Sequence, residues 1–272
     1  MAGKYYRKAD HRHIQCYRCN HCQRKFSSAT FSLSFGQRKR KINCQVKKLL
    51  CSGVSQRRIA KLLNIRRATV KRKLIYWASK ARQTQKQFLE NLGKKKVNVV
   101  YLDDLITIEH TKLKPLSVTV AITEDRRFLA AAVSRIPASG HLAAISRKKY
   151  GLRTSRHKDG LEHVFKQIAP VIKQGAYLKS DEHKLYPIYF RKYFPKYSSH
   201  ATYKSERACV AGQGELKKKV FDPLFSVNHT LAMLRANINR LIRRTWCTTK
   251  KPEMLQYHLE IYMDYHNNSL IA

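Results

Sequence analysis

The sequence predicts a mixed α/β fold, and three features of its 272 residues indicate this class. Beyond residue 97, short apolar or alternating runs are separated by turn-like stretches, which is typical of strands. Residues 42–92 instead repeat apolar residues at helical spacing. The first 41 residues combine cysteine, histidine and basic side chains. We therefore expect three segments, 1–41, 42–92 and 97–272, with a junction marked by Gly93 and the three lysines that follow it.

The net charge restricts what the protein can bind. The chain has 56 Lys+Arg and 17 Asp+Glu, a formal net charge of +39. Residues 1–96 contain only Asp10 and Glu90 as acids. Such an excess needs a polyanionic partner. No apolar run approaches the ~18 residues of a membrane span, and the first residues lack the apolar core of a signal peptide. We expect a cytoplasmic, DNA-associated protein that does not bind membranes.

Three of the seven cysteines lie close together, at Cys16, Cys19 and Cys22. In a chain of this length, such a cluster indicates metal ligands or free thiols rather than a disulfide framework. Cys19-x2-Cys22 matches one knuckle of a zinc ribbon, and Cys16 or nearby histidines could add ligands. A structural Zn²⁺ site usually needs a second knuckle, which would lie upstream of Lys4. The alternatives are a partial zinc ribbon, in a chain that starts too late, and a basic segment without metal.

Residues 52–78 predict two helices joined by a tight turn. Leu63-Asn64-Ile65 forms this turn, since Asn64 tolerates the left-handed conformation. The second helix, from about Arg67 to Trp77, would present basic side chains to the major groove or its phosphates. The candidate DNA-binding residues are Arg66, Arg67, Thr69, Lys71, Arg72 and Lys73. This pattern favours a helix-turn-helix over a helical hairpin with a solvated basic face.

The remainder of the chain predicts an ordered series of strands and helices. VNVVYLDD, PLSVTVAI and RRFLAAAVSRI indicate three sequential antiparallel strands. GLEHVFKQIAPVIKQG indicates a helix broken at Pro170, AYLKSD a fourth strand, and residues 227–244 a helix with one buried face. Three strands, a helical crossover and a fourth strand are the order expected of a ribonuclease-H-like core. In that architecture the first and fourth strands carry metal-binding carboxylates, and a late helix carries the third ligand.

Two aspartates lie where these strands end. Asp103 closes VNVVYLDD, and Asp181 closes AYLKSD. Carboxylates are costly in a protein that approaches polyanions unless a cation screens them, so the pair indicates a Mg²⁺ or Mn²⁺ site aimed at phosphodiesters. Asp104 would point to the opposite face of a regular strand. Only one of the adjacent aspartates should therefore face the site, and periodicity alone does not choose between them.

The chain resembles prokaryotic insertion-sequence transposases of the DDE type, and it is similar to the insertion-sequence-one group and to its relatives that use Asn as the third ligand. The resemblance is carried by YLDDLITIE, LKSDEHKLYP and NHTLAMLRANINRLIRRTWCTTKKPEMLQYHLEIYMDYHN, which span most of residues 97–272. It implies that Asp103 and Asp181 are metal-binding aspartates of a two-metal Mg²⁺ or Mn²⁺ site. It also implies binding to double-stranded DNA, both terminal repeats and target, as a homo-oligomer.

The third ligand departs from the commonest family pattern. The resemblance puts Asn228 where many relatives have Glu, and an amide oxygen can ligate Mg²⁺ without adding charge. Arg235 is seven residues further on, so it would share a helix face with Asn228 and could contact the scissile phosphate. Two alternatives remain open. Asn228 could cap the helix, or Glu215 could supply a third carboxylate.

Several functions are consistent with these features. In the first, a transposase uses Asp103, Asp181 and Asn228 for hydrolysis at the DNA end and for attack of the 3′-OH on target DNA. In the second, a decayed transposase only binds DNA. The missing second knuckle and the missing third carboxylate favour decay, whereas the two retained aspartates favour an enzyme. A nuclease that cuts without joining would share the same metal site.

Overall fold

A computed structural model describes residues 1–8, 11–204, 222–242 and 247–271. The architecture is mixed α/β: a small antiparallel sheet, a group of helices, and a five-stranded mixed sheet with helices packed on both faces. Within these ranges, no helix combines the length and the apolar character that a membrane crossing requires.

The first segment forms a three-stranded antiparallel sheet. Its strands are β1 (Lys4–Arg7), β2 (Arg12–Arg18) and β3 (Lys25–Ser27), in the order β1-β2-β3. Ile14 and Ser27 are buried and lie on one face of the sheet. So small a sheet cannot enclose a core of its own, and its inner face packs against the chain that follows β3.

Three helices follow: α1 (Asn43–Leu50), α2 (Gln56–Leu62) and α3 (Arg67–Lys95). The Ser55 side chain caps α2 by accepting a hydrogen bond from the backbone of its third residue, at 3.3 Å. The turn between α2 and α3 contains Asn64 at φ 45°, the left-handed conformation that the sequence predicts. The buried side chains that join the three helices are Val46, Leu50, Ile59, Val70, Leu74 and Trp77.

The helices and the large sheet share one core. α3 has 29 residues and runs through Gly93, so the expected junction is helical rather than a linker. Ile59 and Trp77 belong to the same apolar cluster as Leu105 of the sheet. Leu62, the last residue of α2, lies outside this core and is 60% exposed. The division into three segments stays a prediction.

The large sheet begins with three sequential antiparallel strands, as the sequence predicts. They are β4 (Val97–Ile108), β5 (Pro115–Thr123) and β6 (Phe128–Arg135). β5 is nearly fully buried, although three of its nine residues are Ser or Thr, because helices cover both faces of the sheet at this position.

A helical crossover returns the chain to the centre of the sheet. α4 (Leu142–Tyr150) and α5 (His157–Ile168) come first, and α5 ends in a 3-10 turn that contains Pro170. This break confirms the one predicted at the proline. β7 (Ile172–Asp181) then pairs with β4 in parallel.

The sheet is completed by α6 (Tyr186–Tyr193) and β8 (Ser199–Tyr203), which pairs with β7 in parallel. The strand order is β6-β5-β4-β7-β8, so β4 and β7 are neighbours near the centre.

The last helices are α7 (Phe225–Asn237) and α8 (Pro252–Tyr265), and a π-helical turn follows α8. The single helix predicted over residues 227–244 is therefore too long. α7 ends early because its C-terminus contacts the loop before α2. The Gly53 N–H donates to the Asn237 carbonyl at 2.7 Å, and the following residue is extended. A contact between residues so distant in sequence has no local signal.

Candidate functional site

Asp103 and Asp181 lie side by side in two neighbouring parallel strands. Asp181 is the last residue of β7, but β4 continues to Ile108, so Asp103 lies within its strand and not at the end that the sequence predicts. The register pairs Tyr101 of β4 with Lys179 of β7, and Lys179 Nζ donates to Tyr101 Oη at 3.2 Å, so both side chains face the same side. Two residues further along each strand, Asp103 and Asp181 face that side as well. Adjacent strands are about 4.8 Å apart, so the two residues are neighbours in the sheet.

α7 packs on the same face of β4. Tyr101 and Leu105 share an apolar cluster with Leu231 of α7, and Asp103 lies between them in the strand. Asn228, near the start of α7, is half-buried. The helix that carries the predicted third ligand therefore covers the sheet face of the two aspartates.

Asn228 does not cap its helix. It is the fourth residue of α7, and its Nδ2 donates to Asp222 Oδ2 at 2.8 Å. Asp222 Oδ1 instead accepts from the Leu224 backbone N–H at 3.0 Å, where the helix begins. Sequence reasoning missed Asp222, because nothing in the residues around it predicts this contact. Its carboxylate lies beside the residue that lacks one.

Arg235 lies two turns after Asn228 in α7 and is also half-buried. Seven residues rotate an α-helix through nearly two full turns, so Arg235 and Asn228 lie on one side of α7. Glu215, the rival third carboxylate, lies outside the described residues.

Asp104 points to the opposite face of the sheet, towards α5, which confirms the predicted alternation. Four side chains donate hydrogen bonds to its carboxylate. Ser117 Oγ and Thr119 Oγ1 reach Oδ1 at 2.7 and 2.5 Å. His157 Nε2 at the start of α5 and Tyr186 Oη at the start of α6 each reach Oδ2 at 2.8 Å. One carboxylate thus joins two strands and two helix N-termini.

These donors determine the charge state of Asp104. Burial by itself would raise the pKa of the carboxyl, but the hydrogen bond and the charge of His157, together with the hydroxyls of Thr119 and Ser117, hold the pKa below its usual range. Asp104 is therefore an anion at neutral pH and can only accept hydrogen bonds.

The turn after β7 links this network to Asp181. The His183 N–H donates to Asp181 Oδ1 at 3.2 Å, and His183 Nδ1 accepts from the Leu185 N–H at 3.3 Å. The next residue is Tyr186, which binds Asp104. Burial raises the pKa of Asp181, the His183 N–H opposes this shift, and the charge of Asp104 adds to it. Asp181 therefore loses its negative charge at a higher pH than an exposed aspartate does.

Asp104, His157 and His183 could hold a metal ion. Within the described part of the chain they are the one group of at least three His, Cys, Asp or Glu whose ligand atoms all lie within 4.8 Å of one another. Their hydrogen bonds, however, fit an anion surrounded by donors. A neutral His183 whose Nδ1 accepts a hydrogen bond carries its hydrogen on Nε2, whereas a ligating nitrogen must be unprotonated. Sequence reasoning missed His157, because 53 residues separate it from Asp104.

Cys19 and Cys22 lie in the turn between β2 and β3, and Cys16 lies in β2. The backbone N–H groups of Cys22 and His21, followed by the Cys22 thiol, lower the pKa of Cys19, which favours the thiolate that binds metals. Within the described residues, the three thiol sulfur atoms do not all lie within 4.8 Å of one another. A Zn²⁺ site here stays a prediction.

The predicted DNA-binding residues divide into two groups. Arg66, Arg67, Lys71 and Arg72 are exposed along the start of α3, and Thr69 is half-buried. Lys73 corrects the prediction, because it is only 2% exposed. Its Nζ donates to Asn43 Oδ1 and, at 3.0 Å, to the Lys39 carbonyl. Burial and then the charge of Arg40 lower the pKa of Lys73. This lysine ties α3 to the chain before α1 and is not available to a phosphate.

Comparison with known proteins assigns the chain to no family. No protein-family model matches the sequence, and no curated protein matches it. Only the residues and their geometry therefore bear on its function.

Proposed function

We propose that the protein is a metal-dependent DNA transposase of an insertion sequence. It would bind the terminal repeats of its element and join their 3′ ends to target DNA. The observation that carries the proposal is the adjacency of Asp103 and Asp181 in two neighbouring parallel strands, beneath the helix that bears Asn228. The strand order β6-β5-β4-β7-β8, three strands antiparallel and two parallel, supports it, since this is the order of a ribonuclease-H-like core.

The donor atoms suit a hard divalent cation. Two carboxylates and one amide offer oxygen ligands, which Mg²⁺ and Mn²⁺ prefer over nitrogen or sulfur. Two such ions bound there would activate the attacking oxygen and stabilise the leaving oxygen of an in-line displacement. Because Asn228 Nδ2 is held by Asp222, its amide oxygen is the atom left for a cation. Asp222 adds negative charge beside it, and Arg235 on the same side of α7 would contact the phosphate.

We assign duplex binding to α2 and α3, acting as a helix-turn-helix. The four exposed basic residues at the start of α3 would contact phosphates and the major groove. Lys71→Gln should weaken duplex binding. It should also reduce the slope of log K against log salt concentration by about one, because one phosphate contact is lost. Arg67→Gln should act in the same way. Lys73→Met is the matched control, because its ammonium is buried, and it should leave the salt dependence unchanged.

A protein that only binds DNA is the competing function, and one observation favours it. Asn228 brings no charge to the position where a third carboxylate is usual, which weakens metal binding. Strand cleavage separates the two functions. The substrate is a labelled duplex that carries the DNA flanking the coding sequence, in Mg²⁺ and in Mn²⁺. The transposase hypothesis predicts metal-dependent nicking by the unmodified protein.

Asp181→Asn should lower that nicking by roughly 100-fold or more while duplex binding stays intact. Glu182→Gln removes the exposed acid that follows Asp181 and should change nicking little. Binding without nicking in either metal would favour the DNA-binding function. Equal loss of binding and nicking in Asp181→Asn would make Asp181 a structural residue.

A further inference from the structure

One face of the N-terminal sheet is covered by aromatic rings. The register places Tyr6 opposite His13 and Tyr17 opposite Phe26, with ring centroids 5.2 and 5.4 Å apart. His13 and Tyr17 are four residues apart in β2, so both pairs lie on the same face. Phe31 adds an edge contact to Phe26 at 5.7 Å. We call these five residues the aromatic face.

The aromatic face is open to solvent, whereas the other face of the same sheet is buried in part and exposes Tyr5 at its edge. Tyr6 is 48% exposed and Phe31 is 81% exposed. Ile14 and Ser27, on the opposite face, are each 7% exposed. The sheet therefore packs inward through Ile14 and Ser27, and most of its rings lie on the outward face. This is the reverse of what burial of apolar area alone would produce.

The surroundings of the aromatic face are strongly basic. Residues 1–41 contain 11 Lys+Arg and a single acid, Asp10. Lys41 Nζ lies 3.0 Å from the His11 ring, which in turn contacts Tyr6 Oη at 2.9 Å, so cationic charge reaches the edge of the face. An occupant of this face has to be anionic and has to offer flat apolar surfaces.

We infer that the aromatic face binds single-stranded nucleic acid, with unpaired bases stacked on its rings and phosphates held by the surrounding lysines and arginines. Stacking needs a base whose face is free, which a duplex does not offer. A sheet of three strands presents a flat surface, whereas duplex readout places a helix or a ribbon in a groove. The proposed function concerns duplex ends and metal chemistry, so this site goes beyond it.

The test compares the unmodified full-length chain with two truncations, Phe31→Ala and Tyr6→Ala. The probes are fluorescein-labelled oligo-dT and oligo-U of about 16 nucleotides and a duplex of the same length. Each truncation should weaken single-strand binding by roughly tenfold, within the range for loss of one stacked base. Duplex affinity should stay within twofold. No charge changes, so the salt dependence of single-strand binding should keep its slope.

Two controls separate stacking from general damage. Leu33→Ala removes a side chain that is 46% exposed in the same segment but has no ring, and it should bind as the unmodified protein does. Tyr6→Phe keeps the ring and should recover most of the affinity that Tyr6→Ala loses. The relative losses for oligo-dT and oligo-U show whether the bound strand is DNA or RNA, or either.

Three results would overturn the inference. The first is single-strand affinity that is unchanged in both truncations. The second is an equal loss for single strand and duplex, since this would mean that the rings support the sheet or a general electrostatic surface. The third is a loss of the same size in Leu33→Ala. Failure of strand cleavage would leave this inference unaffected, because neither probe requires metal or an intact Asp181.

Discussion

Asp104 offers the most direct test of how the sheet and its helices are held together. Asp104→Asn preserves shape but replaces an anion by a neutral amide. The amide can serve two of its donors through oxygen and must present N–H groups to the other two. Hydrogen bonds to charged groups contribute about 1.5 to 3 kcal/mol each, and this side chain accepts four. Because coupled bonds are not additive, we expect a loss of about 2 to 4 kcal/mol in the free energy of unfolding.

Urea unfolding at neutral pH measures this loss, with Asp159→Asn as the matched control. Asp159 pairs with Arg156 on the surface, where both side chains are more than half exposed, and its replacement should change stability by less than about 0.5 kcal/mol. Tyr186→Phe removes one of the four donors and should cost part of the Asp104→Asn effect. Asp104→Asn with no greater effect than Asp159→Asn would refute the reasoning.

The effect of Asp104→Asn on stability should also depend on pH, in a direction that a packing defect would not produce. The folded pKa of Asp104 lies below the usual 3.8, so its contribution is fully present above that value and is lost as the pH falls through the folded pKa. The stability difference between the unmodified protein and Asp104→Asn should therefore shrink as the pH falls below about 4. A difference that persists undiminished under acidic conditions would contradict an electrostatic origin.

Three further predictions concern buried groups. Burial lowers the pKa of His258 to about 3, so stability should fall by up to roughly 1.4 kcal/mol per pH unit between pH 6.5 and 3, and His258→Gln should remove this slope in acid titrations. Lys73→Met should lower the unfolding free energy by about 1 to 3 kcal/mol in urea, whereas Lys71→Met, at an exposed position, should change it little. In Gly160→Ala the new Cβ would lie 1.9 Å from Ser134 Oγ, so thermal melting should show a loss of about 1 to 3 kcal/mol, largely recovered by adding Ser134→Ala.

The sequence pattern is sufficient to predict the structure of a segment where the residues of that segment determine its conformation. The alternating runs in β4, β5 and β6 and the helix break at Pro170 depend on side-chain period and on a missing N–H, and both are visible in the sequence. Asn64 adopts the left-handed turn for a similarly local reason. The early end of α7 could not be predicted in this way, because a contact with Gly53 determines it.

In the candidate site, too, residues with a local sequence signal are predictable, and partners brought together by the fold are not. Asp103 and Asp181 are visible because each follows an apolar run, although only Asp181 ends its strand, and their adjacency follows from the parallel pairing of β4 with β7. His157 comes from a segment distant from Asp104, so no spacing reveals it, and Asp222 lies six residues before Asn228, just outside the helix, where no periodic pattern applies. The basic residues of α3 show that amino-acid composition does not predict exposure. Charge alone does not distinguish an exposed lysine from one that is buried against backbone carbonyls.

Strand transfer by the purified protein tests the central proposal most directly. A labelled duplex carrying the flanking DNA is incubated with unlabelled target DNA in Mg²⁺ or Mn²⁺, and the products are resolved as uncut, nicked or joined strands. The proposal predicts joined strands that require metal and disappear in Asp103→Asn and in Asp181→Asn, while duplex binding persists in both. Nicked strands that are never joined, or joining that survives both substitutions, would contradict it.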